Sequence, residues 1–111
     1  MTHDITNTRL LDKVKGCLYG GAIGDALGAP AEWRLPPQIQ ERYGYITDFV
    51  EPWDGPSDLG KGDGRYTDDS HMIQVLSRIY IETRDHLDAF QFAKRVIPLI
   101  AEEPRWVPEF G

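Results

Sequence analysis

Glycines recur at four-residue intervals near the start of this chain, at Gly16, Gly20, Gly24 and Gly28, with Gly21 beside them. The same stretch places Leu10, Leu11, Val14, Cys17, Leu18, Ala22 and Ile23 close to a 3.6-residue period. It therefore reads as a helix from Arg9 to about Leu27, with Thr8 as its N-cap. Each glycine inside a helix costs ~1 kcal/mol relative to alanine. A strip of them needs a compensating gain, and close approach of a second helix is the usual one. In a membrane such a strip is a dimerisation face. Here Lys13, Lys15 and Asp25 interrupt the segment, and nowhere does the chain run for ~18 apolar residues. The expectation is tight helix packing inside an all-α protein with no membrane partner.

The rest of the chain adds two more helical stretches and long irregular connections. Pro30 ends or bends the first helix. From Ala29 to about Ser57 the sequence is rich in proline and aromatics, and only Tyr45–Val50 has the look of a short strand. Asp54–Gly64 is loop chemistry, dominated by Gly, Asp, Pro, Ser and Lys. A second helix is expected from about Thr67 to Thr83, burying Met72, Ile73, Val75, Leu76, Ile79 and Tyr80. A third starts at Asp88, which has capping-box spacing to Gln91. It would run to about Leu99 and bury Phe92, Val96, Leu99 and Ile100, with a kink or stop at Pro98. The segment Glu103–Gly111 is proline-rich and aromatic, and reads as a chain cut mid-structure.

With 111 residues, 41% hydrophobic and 27% charged, the chain has the size and balance of one small soluble domain. The net charge of −6 and the lack of a Lys/Arg cluster argue against a nucleic-acid partner. The first residues lack the basic start and apolar stretch of a signal peptide. One cysteine, Cys17, excludes an internal disulfide and reads as a buried thiol. A cytoplasmic location is the expectation.

The sharpest chemical feature is Tyr66-Thr67-Asp68-Asp69-Ser70-His71-Met72. Three oxygen-bearing side chains stand in a row at a helix start after a glycine-rich loop. One reading is local: caps and acids suit the free N–H groups and dipole of any helix N-terminus. The other is ligation of a hard cation, which takes oxygen donors. Asp68 and Asp69 repel one another unless a cation lies between them, and Thr67 adds a neutral oxygen. The preceding loop is neither an EF-hand nor a Walker loop. The second feature is Gly24-Asp25-Ala26-Leu27-Gly28-Ala29-Pro30-Ala31-Glu32. An acid inside a glycine-rich apolar helix is expensive to bury unless it is hydrogen-bonded. Asp25 therefore either bonds nearby backbone or serves a site. Glu32 follows a proline turn, where a side chain is either solvated or projects into a cleft. His3, His71 and His86 lack transition-metal spacing. His71 sits one turn into the second helix, where it could line a cleft.

Together the two segments resemble the ADP-ribosylglycohydrolase family, which includes the dinitrogenase-reductase-activating glycohydrolases. Gly20 to Glu32 looks like the family's opening Gly-x-Ala-x-Gly-Asp-Ala-x-Gly-x-Pro-x-Glu. Thr67-Asp68-Asp69-Ser70-His71-Met72 is similar to its Thr/Ser-Asp-Asp-Thr-Gln-Met, with Ser70 and His71 as the departures. The likeness covers about Lys15 to Leu76.

The resemblance implies an all-α orthogonal helical bundle, of which residues 1–111 would be an incomplete N-terminal portion of a single domain. It also implies a hydrolase that cleaves the glycosidic bond between ADP-ribose and a modified target, or an ADP-ribose-containing small molecule. Two ions, Mg²⁺ or Mn²⁺, would serve the complete site. Thr67, Asp68 and Asp69 match the first half of that site. The second half, an Asp-x-Asp-Thr/Ser motif, lies far downstream in members more than twice this length. Glu32 corresponds to a catalytic position that orients or deprotonates water, or manages the sugar hydroxyls. Asp25 would support the site from behind, and His71 is a candidate substrate contact. These 111 residues alone are expected to be inactive. The competing expectation is a non-catalytic, crystallin-like or truncated protein with the same fold.

Overall fold

A computed structural model describes residues 8–55, 61–84 and 86–102. The expected features at His3 and over 103–111 lie outside the described residues. The described chain is helical, in four α-helices: α1 (Thr8–Gly28), α2 (Pro36–Tyr43), α3 (Asp68–Thr83) and α4 (Ala89–Glu102), with a short 3₁₀ turn at Ala29–Ala31. Among the described residues there is no strand. Tyr45–Val50 is irregular, and the nearest thing to a ladder is an isolated bridge between Gly62 and Arg65. None of the described helices is long and apolar enough to cross a membrane.

α3 is the hub, packing against both α1 and α4. Its Val75 and Ile79 join Ala26, Ala29 and Val96 in a small core, with Ile79 fully buried. The expected buried face of α3 is narrower than its periodicity suggests, since Ile73 and Tyr80 are exposed. Arg84, at a left-handed φ of 51°, ends the helix by donating its N–H to the Tyr80 carbonyl at 2.9 Å. α4 begins at Asp88, whose Oδ1 accepts from the Phe90 N–H at 2.9 Å, an N-cap bond. The helix continues through Pro98 to Glu102 instead of stopping there. Pro98 and Lys94, whose carbonyl loses its helical partner to the ring, both lie on the exposed side. Val96 is the buried residue of this helix, while Leu99 is exposed.

α1 carries less cover than its sequence demands. Leu10, Leu11, Val14, Leu18 and Ile23 are each 42–50% exposed. Cys17 is exposed as well, which corrects the expected buried thiol: every residue from 11 to 20 is exposed in the described chain. In the described chain the glycine strip likewise lacks the helix partner that its sequence calls for. A Cβ added at Gly16, Gly20, Gly24 or Gly28 would meet nothing within 4 Å, and only Gly21 faces α3, at 3.6 Å from Ile73 Cδ1. Among the described residues, the strip is not the seat of a packed helix.

α2 lies within the stretch expected to be irregular. Pro36 and Pro37 occupy its first turn, where a missing N–H costs nothing and the fixed φ suits a helix. Gln38 Oε1 accepts the Leu35 N–H at 2.9 Å. Gly44, at φ 69°, closes it by donating to the Gln40 carbonyl at 3.0 Å. The chain that follows is pinned back onto α2. Tyr43 Oη donates to the Glu51 carbonyl at 2.8 Å, Arg42 pairs with Glu51 at 3.1 Å, and Arg34 stacks over Trp53 at 4.7 Å. Returning past residue 60, the Asp63 N–H bonds the Val50 carbonyl at 2.8 Å. Gly62, at φ 102°, is pressed so closely on Pro52 that a Cβ would lie 2.5 Å from its nitrogen. Only glycine fits there. This path delivers residues 61–67 to the start of α3.

Candidate active site

The centre of the site is one carboxylate shared between two helices. Asp25, near the end of α1, accepts four hydrogen bonds from the N-terminus of α3. Thr67 N–H donates at 2.8 Å and Thr67 Oγ1 at 2.6 Å; Ser70 N–H donates at 3.2 Å and Ser70 Oγ at 2.6 Å. Partial burial alone would raise the Asp25 carboxyl, but these bonds outweigh it and hold the group below its ordinary value of 3.8. The partners are 42 and 45 residues away in sequence, so Asp25 does not merely satisfy nearby backbone.

This bond set bears on the two adjacent acids. Thr67 stands at the N-cap position of α3 but makes no capping bond. Asp25 caps the helix from outside. Asp68 and Asp69 stand in the first turn of α3, where acids suit the helix dipole, while the Thr67 and Ser70 N–H groups are already taken by Asp25. Partial desolvation, followed by the negative charges of Asp68, Asp25 and Glu32, pushes the Asp69 carboxyl above its ordinary value. The repulsion felt by Asp69 is a condition that a cation would ease.

Glu32 reaches the same place by a different route. The 3₁₀ turn ends with the Glu32 N–H donating to the Ala29 carbonyl at 3.2 Å. The chain then turns sharply at Trp33, which adopts a left-handed φ of 63°, uncommon for a bulky residue. Glu32, Asp25, Thr67 and Asp69 are the polar lining of one open cleft of about 490 Å³. Gly24, Gly28 and Ala31 belong to its wall. The glycine strip thus borders the cleft, where side chains would narrow it. Asp68 lies outside the lining but close enough to act on Asp69. His71 packs its ring against Tyr66 at 5.1 Å and is not part of the cleft lining. A second groove, of about 350 Å³ between α1 and α3, is walled mainly by apolar groups such as Leu18 and Ile73.

Two participants were not legible in the sequence. Ser70 binds Asp25 through both its N–H and its hydroxyl, and Lys61 pairs with Glu32, Nζ to Oε2, at 2.8 Å. Ser70 had a signal, being a hydroxyl in the first turn of a helix. Lys61 had none beyond its glycine-rich surroundings.

The donor set suits a hard cation: carboxylates and a hydroxyl, with no sulfur and no imidazole in the cleft lining. Thr67 Oγ1 directs its O–H at Asp25, so its lone pairs stay available. The set is incomplete, however. No three His, Cys, Asp or Glu side chains among the described residues converge at ligating distance.

Fold and cleft define an all-α protein with an acidic, oxygen-donor site at a loop–helix junction. The chain belongs to the ADP-ribosylglycohydrolase family, whose sequence model matches residues 6–109. It is 36% identical over 86 residues to an uncharacterised protein of Archaeoglobus fulgidus, covering 77% of this chain and 26% of that protein. It is 25% identical over 87 residues to the uncharacterised protein YegU of Escherichia coli, covering 78% and 26%. It is 33% identical over 93 residues to the ADP-ribosylarginine hydrolase Tri1 of Serratia proteamaculans, covering 84% and 23%. The chain thus spans about a quarter of the length of these relatives. No solved structure matches it.

Proposed function

We propose that the protein containing this chain hydrolyses the bond between the anomeric carbon of ADP-ribose and a modified target, and that the cleft described above is half of its active site. The observation that carries the reading is the convergence of Glu32, Asp25, Thr67 and Asp69 on one cleft, with Asp25 taking over the capping role otherwise open to Asp68 and Asp69. Family membership supports the reaction class. The name of the Serratia relative makes ADP-ribosylated arginine the substrate to try first.

In this reading Thr67, Asp68 and Asp69 hold Mg²⁺ or Mn²⁺, and further ligands come from outside this chain. Such an ion supplies Lewis-acid polarisation and neutralises charge near the sugar hydroxyls. Glu32 takes a proton from the attacking water as its oxygen bonds the anomeric carbon. The bond from that carbon to the target nitrogen breaks with its electron pair on nitrogen, and the proton is returned there. Asp25 touches no reacting atom. It holds the Thr67 hydroxyl in one orientation and ties α3 to α1.

The test is release of free ADP-ribose from ADP-ribosylarginine by the intact protein with Mg²⁺ or Mn²⁺. Glu32→Gln should lower kcat by about 10²–10⁴. Asp68→Asn and Asp69→Asn should abolish turnover, with partial recovery at high metal. Full activity in either Asn variant would refute the assignment. So would wild-type protein that binds neither metal nor ADP-ribose.

A further inference from the structure

Glu32 is held from across the cleft edge. Its partner, Lys61, has a side chain only 21% exposed, against 49% for Glu32. The backbone at the foot of Lys61 follows a fixed path. Arg65 Nη2 donates to the Lys61 carbonyl at 3.5 Å and Arg65 Nε to the Gly62 carbonyl at 3.0 Å. On the other side Gly62 abuts Pro52, and Asp63 N–H bonds the Val50 carbonyl. An ion pair between two free surface side chains contributes little, because ordering both ends costs entropy. Here the lysine end is already ordered by its covered stem and tethered backbone. The pair also joins segments 29 residues apart, the turn after α1 and the loop before α3.

We propose that Lys61 is a positioning residue for Glu32: it fixes the direction in which the carboxylate faces the cleft and cancels its charge there. This rests on the role given to Glu32 above. Without the lysine, Glu32 is free to sample other rotamers, and proton transfer becomes less efficient. Its uncancelled charge then adds to the acidic group, since Glu32 lines the same cleft as Asp69 and Thr67. The two consequences have opposite signs. Turnover worsens while cation affinity improves. A lysine that merely held the loop together would weaken both when lost.

The experiment uses the intact protein, with Mn²⁺ as the calorimetric probe and ADP-ribosylarginine as substrate, for wild type, Lys61→Met, Lys61→Gln and Lys61→Arg. In the two neutral variants kcat should fall by about tenfold or more at little-changed KM. Mn²⁺ should bind about two- to tenfold more tightly. Lys61→Arg keeps the charge and should restore most of kcat with wild-type Mn²⁺ affinity. Unchanged kcat in the neutral variants, joint loss of kcat and Mn²⁺ affinity, or an arginine variant no better than methionine would each overturn the proposal. Wild-type protein that binds Mn²⁺ but releases no ADP-ribose would refute the reaction while leaving the Mn²⁺ comparison to decide on Lys61. Wild-type protein that takes up no Mn²⁺ would overturn both.

Discussion

Removing the Asp25 carboxylate should loosen the junction on which the cleft depends. Four donors converge on it, two of them backbone N–H groups at the start of α3. A hydrogen bond to a charged acceptor contributes about 1.5–3 kcal/mol, and a donor left buried without a partner costs a similar amount. The four bonds come from only two residues, and Asp25 is partly exposed, so they do not sum. Asp25→Ala is expected to cost about 2–4 kcal/mol, a large share of the ~5–15 kcal/mol that holds a small domain together. Asp25→Asn keeps one acceptor oxygen but turns an NH₂ toward N–H and O–H donors, and should lose more than half as much. Ser70→Ala removes one bond and should cost about 1 kcal/mol. Urea titration reads these values, and a double-mutant cycle between Asp25→Asn and Ser70→Ala should show coupling above ~0.5 kcal/mol. The contribution is also pH-dependent. Because the folded state holds this carboxyl below its ordinary 3.8, the stabilisation is complete above that value. It is lost as pH falls further, through the lowered folded value, and Asp25→Ala should flatten that part of the profile. If Asp25→Ala melts within ~0.5 kcal/mol of wild type at neutral pH, within the range of inconsequential surface changes, the four bonds are not what joins the helices.

Gly16→Ala and Gly24→Ala meet no neighbour within 4 Å, so each should stabilise by up to ~1 kcal/mol, read as a rise in Tm. Only Gly24→Ala, on the cleft wall, should also weaken substrate binding; destabilisation by both would reinstate the strip as a helix-packing face. Gly62→Ala, at φ 102° and 2.5 Å from Pro52, should cost about 1–3 kcal/mol and lower kcat by displacing Lys61. A neutral effect in denaturant melts and turnover would show that the loop relaxes freely. Cys17, being exposed, should react with a thiol reagent in native buffer as fast as in denaturant, and protection would show that a further surface covers α1.

The helices were legible where apolar periodicity was long. The expected ends of α1 and α3 lie within a residue of those observed, because each periodic run stops at a change of composition, at Pro30 after α1 and at the glycine-rich loop before α3. α2 was missed because eight residues, Pro36–Tyr43, are too few for a period to emerge. Its real signal was the proline pair at the first turn. Pro98 was misleading because a proline ring removes one bond without ending a helix whose other face is anchored by Val96. In the site, the sequence named Asp25, Glu32, Thr67, Asp68, Asp69 and His71 as candidates, and Asp68 and His71 fall outside the cleft lining. It did not contain the pairing of Asp25 with Thr67 and Ser70, since that depends on how α1 and α3 meet. Lys61 was invisible for the same reason: its partner is set by a loop path that Gly62 and Pro52 determine through contact.

The shared carboxylate also bears on how the cleft can open. Asp25 rivets the end of α1 to the start of α3, so the acidic wall moves as one rigid body, on the microsecond-to-millisecond scale of shifting helices. The facing edge is different. It is built from the turn at 32–34 and the loop at 61–65, across which Lys61 pairs with Glu32. Such a pair exchanges readily with water, while the loop backbone behind it stays tethered through Gly62, Asp63 and Arg65. A ligand therefore enters by parting two side chains and not two loops, and the oxygens of Thr67, Asp68 and Asp69 stay in place while it does.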